Sequence, residues 1–249
     1  MNEKLIISNQ WESLRAFTPA RIAQGRAGHS LPTTELLKFQ ADHAMARDAV
    51  YSELSETLKN DLSEIQNPVF KLHSQVKNRS QYLQRPDLGR KLDNNSQQNL
   101  IQNGSGNSFD VAFVIADGLS ASAINHHAVA VLKLLVPNLN HWKVAPFCIV
   151  EQGRVAIADE IGFLLKAQIV VILIGERPGL SSPDSMGAYI TYSPKAGLTD
   201  ESRNCVSNIR PKGLNYEVAS HKILYLLQEM KTKKLSGVNL KDEMQGLIS

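Results

Sequence analysis

Two stretches decide the fold: FDVAFVIADG at residues 109–118 and QIVVILIGERPGL at residues 168–180. Each is an apolar run of strand length that ends in a glycine turn. Neither alternates apolar with polar, so both faces of each strand are expected to be buried. That is the pattern of strands inside a parallel sheet covered by helices. The sequence around them agrees. Residues 120–135 are helix-forming, VAPFCIV at 144–150 reads as a strand, and residues 156–165 read as a helix. AYITYSP at 188–194 is the candidate for a fourth strand, and a last helix is expected over residues 216–231. Strands alternating with helices predict an α/β class with a mostly parallel sheet.

Upstream the texture changes. Asn9, with Glu12 three residues on, has the spacing of a helix cap, and Pro19 closes that segment. Pro32 and Thr33 open a longer helix along which Leu36, Leu37, Phe39, Val50, Tyr51 and Leu54 recur at helical spacing. Residues 68–83 fit helix or strand equally. Residues 93–108, DNNSQQNLIQNGSGNS, are polar, with a helical first part and a turn or linker at the end. The expected organisation is a mainly helical N-terminal domain over residues 1–105 and a sheet domain over 106–249. Residues 236–249 are expected to fray.

Composition narrows the function. The chain has 249 residues, 43% hydrophobic and 20% charged, with a formal net charge of +3. Residues 1–110 carry 13 Lys/Arg against 12 Asp/Glu, and residues 111–249 carry 14 against 12. Cations are not clustered, so nucleic acid is not expected as a partner. No apolar run approaches the roughly 18 residues of a membrane span. The first residues lack the layout of a signal peptide, so a cytoplasmic protein is expected. Cys148 and Cys205 form no CxxC and are read as two thiols. Cys148 falls inside a strand; Cys205 falls in a polar stretch read as a loop.

In an open parallel sheet, ligands bind beyond the carboxyl ends of the strands. Three glycine-containing turns are expected there: Asp117-Gly-Leu-Ser120, Gln152-Gly-Arg-Val155 and Gly175-Glu-Arg-Pro-Gly179. They supply carboxylates, guanidinium groups and close backbone approach. Taken singly, each is simply a tight turn with Ser120 as a helix cap; three at one edge suggest a ligand crevice. The P-loop, the G-x-G-x-x-G fingerprint after the first strand and the G-x-S-x-G elbow are absent. The seven histidines contain no metal-binding spacing, and adjacent His126 and His127 diverge by about 100° on a helix.

The blocks ARIAQGRAG (20–28), LQRPDLGR (83–90), IADGLS (115–120), GRV (153–155), GERPGL (175–180) and NCVSNI (204–209), in this order, closely resemble the small (light) chain of ethanolamine ammonia-lyase. The resemblance covers about residues 19–237. It implies an adenosylcobalamin-dependent lyase that converts ethanolamine to acetaldehyde and ammonia. It implies that this chain is the non-catalytic subunit, covering the cobalamin at the interface with a catalytic large subunit, in an assembly of six large and six small chains. The implied fold is a Rossmann-like domain after a helical N-terminal part. The implied cofactor contacts are Val155, Glu176 and Cys205, with no catalytic residue and no metal ligand on this chain. Asp117, Arg154 and Arg177 are neighbours without an assigned role. Only 19 residues precede the first block, where some members carry a long extension associated with a bacterial microcompartment. Location in the cytoplasm at large or in such a compartment therefore stays open. None of the histidines stands in D-x-H-x-x-G, so benzimidazole is expected to remain the lower cobalt ligand. Two other readings stay open on the residues alone: a pure assembly subunit, and an independent enzyme using Glu176 as general base.

Overall fold

The computed structural model describes residues 5–104, 106 and 108–244. In chain order the regular elements are α1 (Thr33–Tyr51), α2 (Leu58–Ser63), β1 (Val69–His73), α3 (Arg79–Gln84), α4 (Asn94–Asn103), β2 (Phe109–Ala116), α5 (Ala121–Leu135), β3 (Phe147–Glu151), α6 (Ile157–Leu164), β4 (Ala167–Gly175), β5 (Met186–Tyr192), β6 (Arg203–Ile209) and α7 (Tyr216–Lys233). The strands form one six-stranded sheet in the order β1-β3-β2-β4-β5-β6.

The two quoted stretches are the centre of that sheet. β2 and β4 run parallel, with Val111 opposite Ile169 and Ala116 opposite Ile174. Every residue from Val111 to Ala116 is inaccessible to solvent. α5 and α7 cover one face, packing Ile124, Leu132, Ile223 and Leu227 against Phe113 and Val171. α4 and α6 cover the other, where Leu100, Ile157 and Ile161 meet Val114 and Ile172. The unbroken hydrophobicity of both strands follows from this two-sided burial.

Two features of the sheet go beyond the sequence expectations. The sheet is mixed: β1, β3, β2 and β4 run parallel, as expected, while β4 to β5 and β5 to β6 are antiparallel. The reason is the connection Glu176–Ser185, which holds no helix; without a crossover helix the chain can only turn back alongside its own strand. The sheet also runs across the division suggested at residues 105/106. Within the ambiguous segment 68–83, Val69–His73 is a strand that pairs parallel with β3, and Arg79–Gln84 is a helix. Val69 and Leu72 are buried on opposite faces of the sheet, which fixes the segment as strand. In the polar linker, Ser105 and Asn107 lie outside the described residues.

At the other end, Ser236–Leu240 does not fray. The Asn204 side chain donates to the Leu240 carbonyl (2.9 Å) and accepts from the Gly237 N–H (2.6 Å), and Leu240 is buried. Residues 245–249 lie outside the described residues. Near the start, Asn9 accepts from the Trp11 N–H, but only a single 3-10 turn follows, Glu12–Ala16, with nothing buried. α1 is helical as expected, yet of its 19 residues only Ala49 is buried; Leu36, Leu37, Phe39 and Met45 are exposed. Among the described residues, no helix is long and apolar enough to cross a membrane.

β2 and β4 end in an unusually close approach. The Leu119 N–H donates to the Gly175 carbonyl at 2.9 Å. A Cβ on Gly175 would stand 2.0 Å from the Ser120 carbonyl oxygen, and Gly118 sits at φ +56° with its Cβ direction blocked by the Gly175 carbonyl. Backbone on backbone cannot give way. Gly175→Ala is therefore expected to destabilise the fold by about 3 kcal/mol, lowering the melting temperature by roughly 6–12 °C. A variant melting within 2 °C of the parent would contradict this close packing.

Candidate functional site

The three predicted turns do meet at the carboxyl edge of the parallel strands. Asp117 is the bracket between the first two. Its carboxylate accepts from the Gln152 N–H (3.0 Å) and the Gly153 N–H (3.1 Å), and from Arg79 Nη1 (3.3 Å). Burial pushes its carboxyl up to about 6, against the lowering effect of the Arg79 guanidinium and the backbone N–H groups. Its hydrogen-bonding capacity is spent inside the protein, so Asp117 orders the turns instead of meeting a ligand.

Two residues that sequence reasoning missed complete this edge. The Tyr82 ring lies between the guanidinium groups of Arg79 (4.6 Å) and Arg154 (4.1 Å). Tyr82 donates its hydroxyl to the Gly153 carbonyl at 2.9 Å, and Arg154 Nη2 donates to the Tyr82 carbonyl at 3.0 Å. The Arg154 N–H reaches the Gly89 carbonyl at 2.7 Å, which ties the GRV turn to the LQRPDLGR block. Burial drives the Tyr82 phenol well above its ordinary range. Its partners lie 71 and 72 residues away, so no local pattern marks it.

Above this bracket is a crevice of about 380 Å³ lined by Tyr82, Arg154, Val155, Glu176, Arg177 and Tyr189, with the glycine turns at its base. Val155 and Glu176 are thus brought together, as expected. Glu176 does not pair with Arg177. Its carboxylate accepts from the Ser185 hydroxyl and, at 3.3–3.4 Å, from the Asn208 N–H. A Cβ on Gly187 would stand 2.8 Å from Glu176 Oε1, so glycine there leaves the carboxylate its place.

Cys205 is in β6, not in a loop, directly across from Tyr189 of β5. The polar residues around it belong to an edge strand with an exposed face, which the composition made look like a loop. It is not among the residues lining the crevice but adjoins it through Tyr189. Partial enclosure raises its thiol pKa, outweighing the lowering contact with Tyr189, and nearby Glu176 adds to the rise. This favours the neutral thiol form of Cys205.

A larger cavity of about 650 Å³ lies between α4, α6 and residues 196–199. It contains none of the strand-end turns; Glu160 holds the Leu92 N–H and Gln97, and Asp159 pairs with buried Arg203 through Oδ2 and leaves Oδ1 without a partner. The smaller crevice is the one at which the three strand-end turns converge. Among the described residues, no cluster of three or more His, Cys, Asp or Glu is placed to hold a metal ion.

Because Asp117 has a carboxyl pKa near 6 when folded and 3.8 ordinarily, its folded-state proton is bound more tightly. Its contribution to stability is greatest below about 4 and is lost as pH rises through about 6. Asp117→Ala strands two N–H donors and Arg79, and is expected to cost about 3–5 kcal/mol. The stability gap to the parent should be wider at pH 5 than at pH 7.5, read by denaturant melts at both. An equal or narrower gap at pH 5 would show that the raised pKa is wrong.

The family model for the ethanolamine ammonia-lyase light chain matches residues 8–241. A protein of Pseudomonas fluorescens (strain Pf0-1) described as ethanolamine ammonia-lyase small subunit is 53% identical over 242 residues, covering 95% of this chain and 88% of its own. Small subunits from Ralstonia nicotianae and Azotobacter vinelandii are each 52% identical, over 242 and 244 residues, covering 95% of this chain and 90% of theirs. With the match running from the exposed N-terminal segment through all six strands, the chain belongs to the ethanolamine ammonia-lyase light-chain (small-subunit) family.

Proposed function

We propose that this small subunit covers adenosylcobalamin at its interface with the large subunit, and that the large subunit carries out the conversion of ethanolamine to acetaldehyde and ammonia. One observation carries the reading: Val155, Glu176 and Arg154 converge on a crevice whose base is the glycine turns of β2 and β4. The residues fit the group. Corrin side arms end in amides, which need both acceptors and donors. Glu176 offers a carboxylate with unused lone pairs, and Arg154 Nε is a buried donor without a partner. Val155 offers apolar contact, and the neutral Cys205 thiol a soft one beside it. When bound, adenosylcobalamin supplies the radical that starts the reaction; this chain's residues only bind, orient and shield.

The same residues argue for a non-catalytic role. Glu176 is held by Ser185 and Asn208, which suits a fixed hydrogen-bond acceptor better than a base that must take up a proton. No histidine is among the residues lining the crevice, in keeping with benzimidazole as lower cobalt ligand. In the parallel half of the sheet, α5 and α6 lie on opposite faces, which supports the Rossmann-like reading of the domain.

The partner leaves its mark at the N-terminus. Leu5, Trp11, Phe17, Leu37 and Met45 are exposed on the segment that precedes and forms α1. That segment is tied down mainly to itself, by Arg15–Glu35 and Arg21–Asp42 ion pairs. An apolar arm of this extent fits a surface buried in an obligate complex, here with the large subunit in an assembly of six large and six small chains.

Two outcomes are expected. In the reconstituted complex, Glu176→Ala should weaken cobalamin binding by about 1.5–3 kcal/mol, roughly one to two decades in Kd, and Glu176→Gln by less. A lower melting temperature with unchanged cofactor affinity would leave Glu176 only as a bracket for Ser185 and Asn208. Separately, the chain without its partner should self-associate, and sedimentation should show less of this when Trp11 and Phe17 are replaced by Ser. A single monomeric species of the parent chain at high concentration would count against the arm as an interface.

A further inference from the structure

Glu176 opens the connection between β4 and β5, and that connection has no helix of its own to stiffen it. Its far end is instead drawn onto α5. His127, buried on that helix, faces two elements at once. Its Nε2 is 2.8 Å from the Asp184 carbonyl oxygen, and its Nδ1 is 2.8 Å from the Tyr216 hydroxyl at the start of α7. A carbonyl can only accept, so Nε2 carries the proton and Nδ1 accepts from the tyrosine. Both ring nitrogens are satisfied in one neutral tautomer. Burial lowers the pKa of the imidazole, against the raising effect of the Asp184 carboxylate, which favours that neutral form.

The residue after Asp184 is Ser185, and Ser185 is the one that holds Glu176. Its carbonyl accepts from the Glu176 N–H at 2.9 Å, and its hydroxyl donates to the Glu176 carboxylate. One residue before Asp184, the Pro183 carbonyl accepts from Ser120 Oγ at 3.1 Å. The loop is therefore clamped to α5 at two consecutive carbonyls, immediately before the residue that aims the carboxylate.

We propose that His127 is a positioning residue for the cofactor site: through the Asp184 carbonyl it sets Ser185, and through Ser185 it sets the direction of the Glu176 carboxylate. This rests on the reading of Glu176 as a cofactor contact. The two ring bonds have different jobs. The bond to Asp184 aims the site, and the bond to Tyr216 only joins α5 to α7.

Two substitutions separate those jobs. Glutamine places an amide N–H where Nε2 stands, so His127→Gln keeps a donor for Asp184 and loses the acceptor for Tyr216. Asparagine places its amide oxygen where Nδ1 stands, so His127→Asn keeps the Tyr216 bond and loses the one to Asp184. In the complex with the large subunit, hydroxocobalamin affinity is read by absorbance titration, alongside melting temperature and hydrogen exchange of residues 177–185. His127→Asn should raise Kd about five-fold, the worth of one hydrogen bond, and speed exchange in that loop. His127→Gln should stay within about two-fold of the parent in affinity, although both variants melt lower. Tyr216→Phe should lower the melting temperature and leave Kd unchanged. The proposal is overturned if Asn and Gln variants bind hydroxocobalamin equally well, or if Gln is the worse of the two. Glu176→Ala is run beside them: if it alone weakens binding, the positioning role is wrong; if it has no effect, the site reading beneath it is wrong.

Discussion

β2 from Val111 and β4 from Ile169 are buried on both faces to their carboxyl ends, so every backbone polar group they carry there has to be paired within the sheet or at its ends. The rest of the molecule follows from meeting that demand. Along the strands the pairing is regular, from Val111 opposite Ile169 to Ala116 opposite Ile174. Where the strands stop, the turns take over: the Leu119 N–H finds the Gly175 carbonyl, and the N–H groups of Gln152 and Gly153 find the Asp117 carboxylate. Glycines at 118 and 175 let these backbones come close enough. The crevice exists because three turns are held in contact at one edge.

That arrangement separates holding from binding. Asp117, Tyr82 and Nη1 of Arg79 fix the turns to one another and to the LQRPDLGR segment, while Nη2 of Arg79 is left without a partner. Glu176, Arg154 and Val155 stand on the fixed turns with capacity to spare. A carboxylate near the centre of a ligand site invites the reading that it does chemistry. Here the more deeply buried one, Asp117, is structural, and the one with open lone pairs, Glu176, is clamped.

The mixed sheet has a functional side as well. Because the Glu176–Ser185 connection lacks a helix, β5 returns antiparallel. α6 packs on β4 and β2, while α7 packs on β5 and β6 from the opposite face. Tyr189 and Cys205 consequently sit side by side at the margin of the crevice, with Cys205 exposed. The missing crossover helix is thus what leaves the site accessible.

The sequence alone determined the strand and helix order from β2 to β5 and the last helix, the burial of both central strands, the three strand-end turns and the family. Those features are local: apolar runs, glycine turns and ordered motif blocks are written in consecutive residues. It left residues 68–83 undecided, took Cys205 for a loop residue and did not mark where the mostly parallel sheet turns antiparallel. It also singled out neither Arg79 nor Tyr82 and considered His127 only as a metal ligand. Each of these depends on partners tens of residues away: β1 on β3, Cys205 on Tyr189, Tyr82 on Gly153, His127 on Asp184. Hydrogen bonds and strand pairings across such separations leave no periodic trace in the chain. Only the tertiary structure, which brings those backbones within bonding distance, decided which polar groups hold the turns together and which ones face the open crevice.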